Sequence, residues 1–441
     1  MSRLKVFAFY QDPIAEHACP VHNPTLWRLL PGANVPRKKT PSHPVRVFRF
    51  GALHSVTITA DAWEKRSEDM RIVIDARCRP GVMSGLARYA RNLVGELGRL
   101  DSQNEYFFIR NSGFGGRLAQ RENFTEVQTN YDIATLRHCL FGHWLIERLR
   151  PDVYHSLFHF LPCRLRCQRI LLTLHDFIWY RSPWLAFRDP VRAGAVFGFA
   201  RMFMPRALRL ADQIIAVSSA VEKEAANRFP ELAGRIRVIW HGVNPIFRFD
   251  PKGGGGYVLA VGNSKPYKNF GRLIRAFALV ANESPWLRMI VAGRADYRAS
   301  LEMAAREAGV DGRIEFTGSV PDATLVNLLR CAEFLAFPSL EEGFGLPIAE
   351  ALTVGCPVLT SNRPPMSDVA GDAAVLVDPR SVISIAEGMR RLLTETQLRG
   401  QLIQRGRERS RLFSVRNCAE ETLALYGSAH TSVRLERQRL P

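Results

Sequence analysis

Two glutamates, Glu342 and Glu350, bracket a glycine-rich turn in the stretch EEGFGLPIAEALTVGCPVLTS. The turn leads from an apolar run into a helical pattern, with Pro347 near the first helical turn, where a missing N–H is harmless. The amides of Gly345 and Leu346 then lie at the positive end of a helix, which suits a phosphate. Carboxylates accept hydrogen bonds and sugar hydroxyls donate them. The spacing therefore predicts a nucleotide-sugar site, and the alternative is a capping acid and a surface acid on an ordinary helix.

The chain has 441 residues and 46% apolar composition, enough for a large core and two or three domains. No apolar run is long enough to cross a bilayer, and the first residues lack the apolar core of a signal peptide, so we expect a cytoplasmic protein. The eight cysteines are scattered, which favours reduced thiols over disulfides.

The formal net charge of +18 predicts an anionic partner: nucleic acid, a membrane surface or a phosphorylated substrate. The arginines are spread along the chain without a nucleic-acid-binding signature, so we expect no nucleic-acid partner. Peripheral contact with the inner face of the plasma membrane stays open. Residues 184–210 interleave Arg with Trp, Phe and Met, as either an interfacial helix or a half-buried helix would.

Strand and helix patterns alternate twice along the chain. Residues 1–69 are rich in irregularly spaced Pro and His, and we predict a poorly structured, dispensable extension. The alternation over 70–248 and again over 249–413 predicts two doubly wound α/β domains, separated by a linker that contains GGGG. A closing helix at 414–430 is long enough to return to the first domain, and 431–441 form a tail.

Several motifs in order resemble the retaining GT-B glycosyltransferases of family 4, also called group 1. The segment GFGLPIAEAL between the two glutamates resembles their signature, and GLARYARNL, LLTLHDF, IIAVSSAV, HGVNPIF and VGNSKPYKNFGRLIRAF resemble further family motifs. The resemblance extends from residue 70 to about residue 427. Among subgroups the chain is most similar to bacterial mannosyltransferases that build O-antigen or exopolysaccharide. This likeness implies two facing Rossmann-like domains with an interdomain cleft.

The resemblance also implies roles for individual residues. His175, Glu342 and Lys268 are the expected catalytic residues, with Lys268 on the diphosphate and Glu342 and His175 on the donor sugar. Asn263 stands where many members of the family have an Arg, so Lys265 or Arg294 would supply the second cation. The expected substrate-binding residues are Gly85, Lys265, Arg294, Thr317, Gly318, Phe344, Gly345, Leu346 and Glu350, with Glu350 on the ribose.

The implied reaction is metal-independent, retaining transfer of a hexose from a nucleotide sugar to a lipid-linked or glycan acceptor. GDP-mannose is the first candidate donor, and no cofactor is expected. The alternatives are a GT-B phosphorylase or epimerase, or an inactive scaffold that binds nucleotide or membrane.

A second group of residues has the types that bind zinc. His155, His159, Cys163 and Cys167 recur every four residues, but Pro162 breaks any helix that would align them, so we expect no metal site there. The stretch GFGGRL lacks the third glycine of a dinucleotide loop, which argues against a nicotinamide enzyme.

Overall fold

A computed structural model describes residues 45–49, 55–59, 69–77, 85–111, 121–294 and 296–437, with side chains described from residue 69 to residue 427 within these ranges. The chain divides into two compact units, Met1–Glu64 and Lys65–Pro441, which are described separately. None of the helices in the described ranges is long and apolar enough to cross a membrane.

The first unit contains an antiparallel pair of strands, Val45–Arg49 and Ser55–Thr59. We predicted no regular element in this part of the chain. The sequences VRVFR and SVTIT alternate β-branched or aromatic residues with polar ones, a strand pattern that the surrounding Pro and His obscured. The rest of the predicted extension at 1–69, apart from its last residue, lies outside the described residues.

The strands in chain order are β1 Val45–Arg49, β2 Ser55–Thr59, β3 Arg71–Asp75, β4 Glu105–Asn111, β5 Phe124–Thr129, β6 Val153–Ser156, β7 Arg169–Leu174, β8 Gln213–Ala216, β9 Ile236–Val238, β10 Tyr257–Val261, β11 Arg288–Ala292, β12 Ile314–Gly318, β13 Phe334–Phe337, β14 Val358–Ser361 and β15 Val375–Val377.

The helices are α1 Gly85–Leu100, α2 Leu136–Arg148, α3 Ile178–Arg181, α4 Pro190–Leu210, α5 Ser219–Arg228, α6 Phe270–Glu283, α7 Arg298–Glu307, α8 Asp322–Cys331, α9 Leu346–Val354, α10 Met366–Ala370, α11 Val382–Thr394, α12 Thr396–Arg409 and α13 Val415–Arg437.

The second unit contains two parallel sheets, ordered β5-β4-β3-β6-β7-β8-β9 and β12-β11-β10-β13-β14-β15. Each is doubly wound, so the connections leave for opposite sides at β3/β6 in the first sheet and at β10/β13 in the second. Ligands of such sheets bind beyond the carboxyl ends of the strands at this switch point. The α/β prediction of two Rossmann-like domains is confirmed.

The central strands are buried because helices cover both faces of each sheet. All five residues of β3 and all four of β13 are buried. In the first domain Ile72 and Ile74 pack with Leu93 of α1, and in the second Phe334 packs with Phe277 of α6. Two separate cores hold the two sheets rigid, so the carboxyl ends of the strands are fixed platforms for side chains.

The closing helix α13 packs on the first domain, although the chain enters it from the second. The Tyr426 hydroxyl lies 2.6 Å from Nδ1 of His155 in β6. Arg169 of β7 donates a hydrogen bond from Nη1 to the carbonyl oxygen of Leu425 at 3.0 Å. Cys418 and Ala419 belong to the same core as β3 and α1. The helix therefore ties the end of the chain back to the first domain.

The two domains meet closely at Gly343, in the loop after β13. A Cβ at Gly343 would lie 1.8 Å from the carbonyl oxygen of His175, which follows β7. The Ser218 hydroxyl donates to the Gly343 carbonyl oxygen at 2.7 Å, and Arg181 pairs with Glu341 at 2.8 Å. Only glycine lets the second-domain loop approach the end of β7 this closely.

We expect Gly343→Ala to lower the free energy of unfolding by about 1–3 kcal/mol, because the new methyl group collides with the first-domain backbone. Denaturant unfolding of the full chain measures this, and Gly400→Ala in α12 is the control, since a Cβ there meets no atom within 4 Å. Equal unfolding midpoints for the two variants would show that the close approach does not constrain the domains.

Candidate active site

The turn between β13 and α9 positions the two predicted glutamates. Gly345 precedes α9 with φ 102°, a conformation that glycine adopts without strain, and Pro347 occupies the first turn. The amides of Gly345 and Leu346 therefore lie at the start of the helix, the geometry that attracts anions. Glu342 lies before the helix and Glu350 one turn inside it.

Glu342 is paired with Lys268, the residue predicted to bind the diphosphate. Lys268 Nζ lies 2.7 Å from Glu342 Oε1. The two side chains meet because Lys268 follows β10 and Glu342 follows β13, the two strands that flank the switch point of the second sheet. Lys268 is buried, and its Nζ also lies 4.6 Å from the centre of the Phe337 ring. A buried ammonium group therefore stands at the carboxyl edge beside a carboxylate.

Glu350 is bound by a residue of the other domain, Arg88 of α1. Arg88 Nη1 donates to Glu350 Oε1 at 2.6 Å, and Arg88 Nη2 lies 3.0 Å from Asp322 Oδ1 at the start of α8. Glu350 is only 2% exposed, and its Oε2 has no hydrogen-bond partner within the described part of the chain. Such an oxygen can accept a hydrogen bond from a ligand without breaking the ion pair.

Burial raises the pKa of Glu350 to about 7, against the lowering effect of the Arg88 guanidinium, while the nearby Asp322 carboxylate also raises it. Arg88 therefore favours the ionised form, which accepts hydrogen bonds and does not donate them. Arg88 was not among the residues predicted for the site. It lies within GLARYARNL, one turn into α1, but nothing local pairs it with an acid 262 residues away.

His175, the third predicted catalytic residue, stands at the end of β7. Its Nε2 lies 2.8 Å from the carbonyl oxygen of Leu157. Burial lowers the pKa of His175 to about 4, so the ring is neutral at pH 7. Because a carbonyl oxygen only accepts, Nε2 carries the proton and Nδ1 is an acceptor. His175 can therefore accept a hydrogen bond from a sugar hydroxyl.

Aromatic rings of the first domain pack around His175, and one of them contacts the second domain. The His241 ring stacks on Phe344 at 5.1 Å between centroids, and it lies 4.5 Å from the Tyr89 ring. His175 lies 5.4 Å from both Tyr89 and His241. Phe344, one of the expected substrate-binding residues, thus also joins the second domain to the first through its side chain.

The two candidates for the second cation share one carboxylate. Arg294 is ion-paired with Asp296, and Lys265 Nζ lies 3.8 Å from the other oxygen of Asp296. Asn263 stands at the position where the family often has an Arg. Its Oδ1 is buried and has no hydrogen-bond partner in the described ranges. Neither cation is held at the Lys268–Glu342 pair.

The remaining predicted residues lie around the rim of the site. Thr317 and Gly318 end β12, four residues before Asp322, and are partly exposed. Gly85 begins α1 and is exposed, with open space where a Cβ would stand. The loop before Gly85, at 78–84, lies outside the described residues. No atom of the described residues therefore lies close enough to require a glycine at position 85.

A cavity of about 380 Å³ lies beside Glu342, between the domains. Asp176, Arg181 and Arg363 contribute to its walls. Burial raises the pKa of Asp176 to about 6, and Asp176 Oδ1 accepts the backbone N–H of Ile178. The cavity walls therefore carry both positively charged hydrogen-bond donors and acidic acceptors. They lie next to Glu342, the acid predicted to bind the donor sugar.

Two of the four residues with zinc-binding side chains, at which we expected no metal site, have other partners. His155 contacts Thr173 and Tyr426, and the Cys167 thiol points at backbone carbonyl oxygens. Within the described ranges, no three His, Cys, Asp or Glu side chains are grouped to hold a metal ion.

Two Rossmann-like domains with charged side chains gathered where their carboxyl edges meet define the GT-B class of glycosyltransferases. Residues 246–409 match the family described as Glycosyl transferases group 1, and residues 83–246 match Glycosyltransferase Family 4. The chain belongs to this family of glycosyltransferases, as the motifs predicted.

Similar proteins agree with this assignment. O-antigen chain mannosyltransferase B of Escherichia coli is 26% identical over 373 residues, 78% of this chain and 96% of that protein. Sucrose-phosphate synthase from Thermosynechococcus elongatus superposes with a TM-score of 0.68 at 20% identity, over 82% of this chain and 100% of that one. Anabaena HepE in complex with UDP-glucose gives 0.59 at 16% identity, over 81% and 100%. At these identities the two structural matches support the fold.

We expect substitutions at Arg88 and Asp322 to move the pKa of Glu350 in opposite directions. Arg88→Met removes the nearest positive charge and should raise it above about 7, whereas Asp322→Asn removes a negative charge and should lower it. Arg88→Lys keeps the charge and should stay near the wild type. Titration of the Glu350 carboxyl carbon by NMR in selectively labelled protein measures all three.

An unchanged midpoint in Arg88→Met would show that the ion pair does not control the ionisation of Glu350. Chemical shifts of the core methyl groups serve as the folding control for each variant.

Proposed function

We propose that this glycosyltransferase moves mannose from GDP-mannose to a lipid-linked or glycan acceptor in cell-surface polysaccharide synthesis, with retention of configuration and without a metal ion. The observation that carries the proposal is the paired arrangement of Glu342 with Lys268 and of Glu350 with Arg88 at the start of α9. The choice of mannose and of the acceptor class is supported by the similarity to an O-antigen chain mannosyltransferase.

In this proposal the diphosphate of the donor lies at the start of α9. The amides of Gly345 and Leu346 and the ammonium group of Lys268 bind it, and they stabilise the charge that grows on the departing nucleoside diphosphate. Because Lys268 is held within 2.7 Å of Glu342, it is already oriented before the donor binds. A preorganised cation costs little reorganisation during the reaction.

The same position of the diphosphate determines which residues contact the ribose and the transferred sugar. Glu350 Oε2 accepts a hydrogen bond from a ribose hydroxyl, while Arg88 remains on Oε1. Glu342 and Nδ1 of His175 accept hydrogen bonds from hydroxyls of the transferred sugar. The acceptor enters the cavity beside Glu342 and attacks the anomeric carbon on the face that the diphosphate leaves, and a phosphate oxygen takes the proton of its hydroxyl.

Removal of the two glutamates should affect different steps, nucleotide binding for Glu350 and turnover for Glu342. Glu350→Ala should weaken binding of the free nucleoside diphosphate by about 1.5–3 kcal/mol, the range for hydrogen bonds to a charged group. Glu342→Ala should leave that affinity nearly intact, because Lys268 keeps its charge for the diphosphate, and should lower kcat, since the sugar hydroxyl that Glu342 binds exists only on the intact donor. Calorimetry with GDP and steady-state kinetics with GDP-mannose measure these effects.

Glu307→Ala, an exposed acid at the end of α7, is the matched control for both substitutions. Weak GDP binding in Glu342→Ala combined with normal binding in Glu350→Ala would reverse the two roles. Wild-type behaviour of both variants would mean that the acids do not line the donor site.

A donor screen and the product's stereochemistry test the reaction itself. We expect turnover with GDP-mannose in the presence of a chelator, release of GDP only when an acceptor is present, and an α-linked product by NMR. A β-linked product contradicts retention. Transfer to inorganic phosphate, or sugar isomerisation without an acceptor, would identify a phosphorylase or an epimerase, and binding without turnover on any donor would leave the scaffold alternative.

A further inference from the structure

One face of α2 exposes four large apolar side chains in the first domain. Leu136, Leu140, Phe141 and Trp144 are 39%, 47%, 50% and 63% exposed. Residues 136, 140 and 144 are four apart and therefore lie in one row along the helix, with Phe141 beside the row. The opposite side of α2 is buried, including His138, Cys139 and Ile146. We call the four exposed residues the α2 apolar face.

Arginines lie on α2 and close to it in the chain. Arg137 lies on the same side of the helix as the α2 apolar face and is exposed. Arg164 is held against the helix by a hydrogen bond to His143 at 3.1 Å, and Arg150 and Arg166 are exposed nearby in the chain. The carboxylate of Glu147 also lies on α2, where it accepts the backbone N–H of Arg166. Large exposed apolar side chains with arginines nearby fit an anionic lipid surface, in which rings enter the interface and guanidinium groups meet headgroups.

The first turn of α2 lies near the carboxyl edge of the first sheet. His138, on the buried side of this turn, lies 2.7 Å from Arg77, which follows the carboxyl end of β3. That end of β3 belongs to the switch point of the first sheet, on the side where ligands of such sheets bind. A surface docked through α2 would therefore contact the domain that carries this edge.

The stretch 184–210, which the sequence analysis considered for the same role, has a different arrangement. Helix α4 buries Phe199, Phe203 and Leu208 in the first domain. Its three exposed large apolar residues, Val191, Phe197 and Met202, are six and five positions apart, so no two of them are neighbours in a row along the helix. The half-buried alternative therefore describes α4 better.

We propose that the α2 apolar face docks this enzyme on an anionic phospholipid bilayer. The inference deepens the proposed function and rests on it, because a lipid-linked acceptor would be presented at such a surface. It names the part of the first domain that meets the membrane, which the sequence alone did not identify.

Vesicle binding by the full chain tests the inference. We expect the wild type to partition on vesicles of equal parts phosphatidylglycerol and phosphatidylcholine, and on phosphatidylcholine alone much less, with binding that weakens as salt rises. The double variant Leu140→Gln, Trp144→Gln should lose about tenfold or more in partitioning, since two interfacial anchors are removed. Arg137→Gln should bind less tightly and with a shallower salt dependence.

The second domain supplies a matched control, Leu279→Gln with Trp286→Gln, whose side chains are also exposed. This control should partition like the wild type. All variants should transfer sugar to a water-soluble glycan acceptor at the wild-type rate, because none of these residues touches the site.

Equal partitioning of the wild type and the α2 double variant would overturn the inference and leave the proposed function intact. No partitioning of the wild type, with sugar transfer preserved, would do the same. Absence of transfer to every soluble and lipid-linked acceptor would instead remove the proposed function. If the α2 variant changes only the sedimentation coefficient, the face is an interface between two copies and the membrane proposal is wrong.

Discussion

The site depends on two carboxylates that are withdrawn from water and each held by a cation, Glu342 by Lys268 and Glu350 by Arg88. A buried charge is costly unless it is paired, so each acid constrains where its cation must be. The Lys268 pair closes within the second domain, across the switch point of its sheet. The Arg88 pair closes between domains. The Glu342–Lys268 ion pair therefore does not depend on how the two domains are arranged. The Glu350–Arg88 ion pair forms only when the two domains are together.

This difference links domain closure to the chemistry of the site. With Arg88 in place, Glu350 is more readily ionised and keeps one oxygen for a ligand; with the domains apart, the acid would lose the Arg88 guanidinium. A ligand that needs the ionised acid consequently favours the closed arrangement, because ligands shift a protein toward the state that they bind better. Gly343 permits the same closure sterically, by bringing the loop after β13 against the carbonyl of His175. In the proposed function, donor binding and domain closure support each other.

The two domains also divide the proposed work. The second supplies the start of α9, Lys268 and the glutamates, which suit the nucleotide sugar. The first supplies His175, next in the chain to Asp176 of the cavity wall, and it carries the α2 apolar face. An enzyme that takes one substrate from solution and the other from a bilayer needs both to meet at one cleft. Facing carboxyl edges provide that geometry, since each sheet brings its loops to the same gap.

Local features of the chain were predictable from sequence. Alternating strand and helix patterns determined two doubly wound sheets, and the turn around Gly345 determined a helix start flanked by Glu342 and Glu350, because these features depend on residues close in the chain. The strands of the first unit were missed, since short alternating runs among Pro and His give a weak signal. Arg88 could not be assigned, because its partner is 262 residues away and only the folded contact joins them. Periodicity left α4 as either an interfacial or a half-buried helix; only tertiary packing decided that α4 buries one face in the domain, while four large side chains of α2 remain in contact with solvent.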